Sequence, residues 1–170
     1  MDEGLFRTMN PWLAGASRPL WYVADYSWWP LLIAGGIVAF ALFWDKHWRM
    51  VAVSFLAIAI TDPLCSYGLK PLFGRDRPCQ VLKDVYTIRE GTEVGGCGSG
   101  PSFPSNHAAN TAALAMVLGS PPLAVLSLVA GTSRVVLGQH YPSDVLVGWM
   151  IGAGIGFGIR RKTKKAFGWT

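Results

Sequence analysis

Charge is scarce in this chain: of 170 residues only 15% are Asp, Glu, Lys or Arg, against about a quarter in an average soluble domain. Together with a 51% hydrophobic content, that shortage excludes an ordinary soluble globule and points to the membrane class. Cysteine is scarce too, at three residues with no C-x-x-C pair. No Cys/His spacing suits zinc, so neither a metal nor a cofactor is expected. Internal repeats and low-complexity tracts are missing. The start Met1-Asp2-Glu3 is acidic and the first long apolar run comes late, which is unlike a cleavable signal peptide. Acidic residues number ten against fifteen basic ones, a net charge of +5. The basic residues form two clusters without interleaved stacking aromatics, so nucleic acid is not the expected partner.

What is present is a series of apolar runs in one expected domain, 1–170. Residues 1–27 place Leu5, Phe6, Met9, Trp12 and Leu13 at helical spacing, with Pro11 and Pro19 expected to break the run, and read as amphipathic segments at the interface. Residues 28–44 carry no charge and are flanked by Trp28, Trp29, Trp44 and Trp48, the pattern of a transmembrane helix with aromatic anchors. A second span is expected over 50–69, interrupted by Asp62 and Pro63; Asp62 either supports Lys70 or makes an internal hydrogen bond beside a proline kink. Residues 70–104 form a long polar loop. An apolar stretch at 107–119, a turn at Ser120-Pro121-Pro122, a span to about Leu137 and a last span over 145–159 follow. That last span sets Gly148, Gly152 and Gly156 on one face, a small-xxx-small pattern for close helix approach.

The expected fold is therefore an all-α integral membrane protein of about five transmembrane helices with an N-terminal interfacial segment. The bundle covers 28–160, the loop at 70–104 carries the site, and 161–170 form a basic tail. The positive-inside rule puts Lys46, Arg49 and the tail in the cytoplasm. Lys70, the polar loop and His140 then face the extracytoplasmic side of a cell (inner) membrane.

Three polar clusters fall at outer helix ends: Lys70-x6-Arg77-Pro78, Pro104-Ser105-Asn106-His107 and Ser133-Arg134-x5-His140-x3-Asp144. Lys70, Arg77 and Arg134 present three fixed positive charges, suited to the oxygens of a phosphoryl group. Ser105 and the amides around Asn106 open a helix and add donors. His140 has Asp144 four positions on to hold one ring nitrogen protonated and leave the other to attack. His107 remains as general acid and base. Arg75, Lys83 and Arg89 read as solvated loop charges, and His47 as interfacial. Cys79 and Cys97 bracket a polar segment; they pair if it faces an oxidising compartment and otherwise remain thiols.

These three clusters, in order over 70–144, resemble the signature of the phosphatidic acid phosphatase type 2 family. One departure is Asn106, where the family usually has glycine. The resemblance implies a six-helix type of core, a phosphohistidine on His140, proton transfer by His107, and phosphate held by Lys70, Arg77, Ser105 and Arg134. The expected activity is metal-independent hydrolysis of a lipid phosphate or pyrophosphate, such as undecaprenyl pyrophosphate, phosphatidylglycerophosphate, phosphatidate or lipid A 1-phosphate. The expected partners are the bilayer and that lipid, with no obligate protein partner. Two other readings remain: a non-catalytic binder of anionic headgroups or small transporter, and the haloperoxidase chemistry of the family's soluble branch.

Overall fold

The computed structural model describes residues 2–16, 48–85 and 97–167, and every regular element among them is helical. The transmembrane helix expected at 28–44 lies outside the described residues. Helix α1 (Asp2–Ala16) is followed by α2 (Trp48–Pro63), a π-helical turn (Leu64–Leu69), α3 (Lys70–Phe73), α4 (Pro78–Val81), α5 (Asn106–Leu118), α6 (Pro121–Val136) and α7 (Pro142–Phe167).

Three boundaries differ from the sequence expectation. Pro11 does not break α1, which runs through it. The missing N–H and the ring cost one intrahelical bond, but Phe6 and Asn10 on that helix are buried against the rest of the molecule and hold it in register. The 70–104 segment is not a structureless loop, because α3 and α4 lie within it. The basic tail is not a separate segment either: α7 carries on as helix through Arg160 and Arg161 to Phe167.

Beyond Pro63, α2 widens into the π-turn, and Lys70 donates its backbone N–H to the Cys65 carbonyl. Such one-turn insertions re-aim the residues that follow; here they are Lys70 and the chain leading to Arg77. Gly74 ends α3 with a left-handed φ of 54°, a conformation costly for other residues.

Helix α5 is central, packed against α2, α6 and α7. Its Ala108, Ala109, Ala112 and Ala113 are all buried. Facing them is the glycine stripe of α7. A methyl on Gly152 would collide with the Ala109 carbonyl, one on Gly148 with the Ser105 carbonyl, and one on Gly156 with the Ala113 carbonyl. The two backbones are in contact because neither helix carries bulk there. The opposite surfaces are apolar and open: Phe55, Leu56, Leu126, Leu128, Met150 and Phe157 are exposed. Among the described residues, two helical stretches, Arg49–Val81 and Pro142–Lys164, are long and apolar enough to cross a membrane.

The close approach gives a direct test. Gly152→Ala should destabilise the detergent-solubilised protein by about 1–3 kcal/mol through overpacking. Gly154→Ala, two residues along and facing open space, should leave the thermal midpoint unchanged or slightly raised. Equal midpoints for the two variants would contradict the packing.

Candidate active site

The three sequence clusters meet at one end of the bundle. The Ser105 N–H, just before α5, donates to the Asp144 carbonyl in the first turn of α7 at 3.0 Å. The Cys79 N–H in α4 donates to the Gly138 carbonyl at 3.0 Å. These bonds join the first and second clusters to the third, which the chain separates by dozens of residues.

His140 sits in the loop between α6 and α7 and is 2% exposed. Its backbone N–H and that of Gln139 both return to the Arg134 carbonyl, at 3.2 and 3.0 Å. Arg77 Nη1 lies 3.3 Å from His140 Nε2. A guanidinium only donates, so Nε2 is the acceptor and the ring hydrogen belongs on Nδ1. Nδ1 faces Asp144 Oδ2 at 3.7 Å, an electrostatic contact longer than a hydrogen bond. Burial pushes the His140 imidazole down to about 4; Asp144 pulls it up, but the Arg77 charge adds to the burial. The ring is thus neutral at pH 7, with its free lone pair on the Arg77 side.

Arg77 is itself 8% exposed. Its Nε donates to the Gly100 carbonyl at 3.1 Å and its Nη1 to the Gln139 carbonyl at 3.1 Å. Gln139 Oε1 also accepts from the Gly98 N–H at 3.0 Å, so the loop is folded over the guanidinium. A disulfide between Cys79 and Cys97 ties the same loop to α4. Arg134 is 7% exposed and Lys70 is half-buried. Arg134, the His140 ring, Lys70 and Arg77 all act electrostatically on the His107 ring at the start of α5. Both imidazoles and all three cations therefore share one site. Ser105 is fully buried beside it, and its Oγ has no hydrogen-bond partner among the described residues.

Two residues sit differently from expectation. The Asn106 side chain turns away toward α2, where its Nδ2 donates to Asp62 Oδ1 at 2.9 Å and to Ser66 Oγ at 2.6 Å. Asn110 Nδ2 donates to the same Asp62 oxygen at 2.8 Å. Asp62 is thus held by two amides, and among the described residues no ion pair joins it to Lys70. Arg75 is no solvated loop charge. It donates to Asp144 Oδ1 at 2.8 Å, to Ser143 Oγ at 2.8 Å and to Asp2 Oδ2 at 2.6 Å. Its guanidinium also lies 3.9 Å from the centroid of the Tyr141 ring. Nothing in the local pattern distinguishes Arg75 from its neighbours, because its partners are about 70 residues away on either side.

A neutral buried imidazole beside three cations and a hydroxyl is equipped to bind a multiply charged anion and to attack it. Comparison with known proteins agrees with that chemistry. Residues 48–167 match the model of the PAP2 superfamily. The lipid A 4'-phosphatase of Bacteroides thetaiotaomicron is 31% identical over 165 residues, covering 85% of this chain and 69% of that protein. Among solved structures, Aquifex aeolicus LpxE superposes with a TM-score of 0.66 at 28% identity, covering 93% of each chain. The transmembrane PAP2 type phosphatidylglycerolphosphate phosphatase of Bacillus subtilis reaches a TM-score of 0.69 at 24% identity, covering 98% of this chain and 85% of that one, and shares the fold. With the family model matching well over half of its length, this chain belongs to the PAP2 superfamily and is a membrane-associated phosphatase of that family.

Proposed function

We propose that the protein hydrolyses a phosphomonoester or pyrophosphate of a membrane lipid without a metal, through a phosphohistidine on His140. The observation that carries this reading is the contact between Arg77 Nη1 and His140 Nε2. It gives the tautomer with Nε2 unprotonated, and it supports the roles of Nε2 as nucleophile and of Arg77 as a phosphate fork beside it.

The lipid phosphate enters with its oxygens on Lys70, Arg77, Arg134, the Ser105 hydroxyl and the amides at the start of α5. The Arg77 fork transfers its hydrogen bond from His140 Nε2 to a phosphate oxygen, and Nε2 attacks phosphorus. The bond to the leaving oxygen breaks as His107, which takes up a proton when the entering phosphate anion offsets the cations around it, gives that oxygen its proton. Asp144 stabilises the positive ring through Nδ1–H. His107, now neutral, takes a proton from water, which attacks the phosphohistidine and frees inorganic phosphate. Charge on the equatorial oxygens is met by the three fixed cations, the role a divalent ion has in other phosphoryl transferases. Asn106 contributes through its backbone, since its side chain is engaged by Asp62.

The substrate is drawn from amphiphiles that keep the phosphate at the bilayer surface: polyprenyl pyrophosphates, phosphatidylglycerophosphate, phosphatidate or lipid A phosphates. The relatives named above support a lipid phosphate as the class. The fold supports a multi-pass topology with the site on the extracytoplasmic side of the cell membrane. Helix α1 docks at the site end of the bundle, whereas α2 begins at the far end. The proposed topology has about five spans, with α1 at the interface and the basic end of α7 in the cytoplasm; the span expected at 28–44 lies outside the described residues. The Cys79 to Cys97 disulfide supports an oxidising compartment on the site face. The whole chain, 1–170, is then a single phosphatase domain.

Purified protein in detergent with EDTA should release phosphate from a lipid phosphate, and His140→Ala should lower the rate at least about 1,000-fold while keeping the thermal midpoint. Binding without turnover would favour a headgroup-binding protein, and metal-dependent turnover would exclude the mechanism. Vanadate, as a mimic of the five-coordinate phosphorus, should inhibit the wild type; vanadate-dependent halide oxidation would instead assign haloperoxidase chemistry.

Acid should also reveal the buried ring. His140 falls from 6.5 to about 4 on folding, so between these pH values the unfolded chain binds the proton first. This contribution to stability is complete above pH 6.5 and is lost as pH falls toward 4. The wild-type midpoint should drop over that window more than the midpoint of His140→Gln, measured by thermal unfolding in one detergent.

A further inference from the structure

Behind Asp144, on the side away from His140, lies a second layer of charge that the reaction outlined above does not use. Asp144 is fully buried. Its Oδ2 accepts from the Tyr141 N–H at 2.8 Å and faces His140 Nδ1, while its Oδ1 accepts from Arg75 at 2.8 Å. The other arm of the Arg75 fork reaches Asp2 on α1, and Asp2 also accepts from the Ser143 N–H at 3.2 Å and from the Ser143 hydroxyl. Burial alone would raise the Asp2 carboxyl, but the bonds from Ser143 and Arg75 outweigh it and hold Asp2 below its ordinary range. The sequence of charges is therefore carboxylate, guanidinium, carboxylate, imidazole, running from the N-terminal helix to the nucleophile.

The same helix grips the segment carrying His140 at two further points. Asn10, 1% exposed, donates to the Val135 and Val136 carbonyls at 3.2 and 2.8 Å, at the end of α6. Phe6, also 1% exposed, sets its ring edge-on to Tyr141 at 5.7 Å between centroids. Tyr141 in turn lies under the Arg75 guanidinium. Residues 135–144 are thus fixed from behind by α1 as well as from the sides by α5 and α4.

We propose that Asp2 and Arg75 are positioning residues, forming a clamp through which the docked N-terminal helix aims the Asp144 carboxylate at Nδ1 of His140. Arg75 occupies Oδ1 and so leaves Oδ2 for the ring. Asp2 shares the guanidinium, so that Arg75 does not fully neutralise Asp144, and the carboxylate keeps negative charge for the imidazolium that forms as the phosphoryl group is transferred. Neither residue touches substrate; both act through Asp144. The inference rests on the reading of His140 as the nucleophile.

The test uses the full-length protein in detergent. Arg75→Gln and Asp2→Asn should each lower kcat on the order of 10-fold, the range for outer partners that orient a site group, with KM little changed; Arg75→Gln, which takes the guanidinium from the buried Asp144 carboxylate, should also lower the thermal midpoint. Arg75→Lys and Asp2→Glu should recover part of the loss. In an Asp144→Asn background, Arg75→Gln should bring no further loss, because the group it positions is gone. In parallel, 15N spectra of histidine-labelled protein without substrate should show the His140 Nδ1 signal shifted in Arg75→Gln. Wild-type kcat in both single variants, a full extra loss in the Asp144→Asn background, or an unmoved Nδ1 signal would each overturn the clamp. If the wild type released no phosphate at all, the proposed function would fall, and the Nδ1 signal would still decide for or against the clamp.

Discussion

Asp144 is a carboxylate with no exposure to water, and an ion in that position persists only if the fold surrounds it with donors. Here the donors come from separate parts of the chain, the Arg75 guanidinium beyond α3 and the Tyr141 N–H from the loop before α7, with the His140 ring in longer electrostatic contact. Its backbone carbonyl takes the Ser105 N–H as well. Satisfying one residue therefore brings the end of α3, the start of α5 and the start of α7 to a common point. The other parts of the site, Arg77 against His140 and the loop folded over Arg77, are arranged around that junction.

The junction needs α5 and α7 to touch, and that is a matter of volume rather than charge. The alanine face of α5 and the glycine stripe of α7 let the backbones meet, so Ser105 arrives within hydrogen-bond distance of Asp144. Apolar burial does not drive such contacts within a bilayer, where the lipid is as apolar as the side chains; close packing does. The exposed Phe55, Leu126, Met150 and Phe157 face outward for the same reason. Within the interior, the Asp62 carboxylate is kept by the amides of Asn106 and Asn110, which places a polar brace between α2 and α5 one turn below the site.

The site gathers Lys70, Arg77 and Arg134, whose positive charges act on one another. An anion placed among them would relieve that mutual repulsion, and the proposed phosphate binding rests on this. The same field, added to burial, keeps His140 neutral. The proposed anion binding and the unprotonated Nε2 thus draw on one arrangement of cations, and membership of the PAP2 superfamily fits phosphate chemistry at this site.

Read alone, the sequence determined the helical, membrane-seeking character of the chain, the glycine face of α7, and the residue types of the site. Each of these is written in local periodicity, composition or short spacing. The course of α1 through Pro11, the helices inside the polar segment and the continuation of α7 into its basic end were decided by packing and context that local rules do not carry. Tertiary structure alone decided which polar side chains meet. Arg75 and Arg77 stand two positions apart with the same chemistry, yet one lies against the lone pair of His140 and the other braces Asp144 from behind. Asn106 turns to Asp62, and Asp2 reaches Arg75 from the far end of the chain. A hydrogen bond depends on separation in space and on direction, and the linear order of residues fixes neither until the helices have packed.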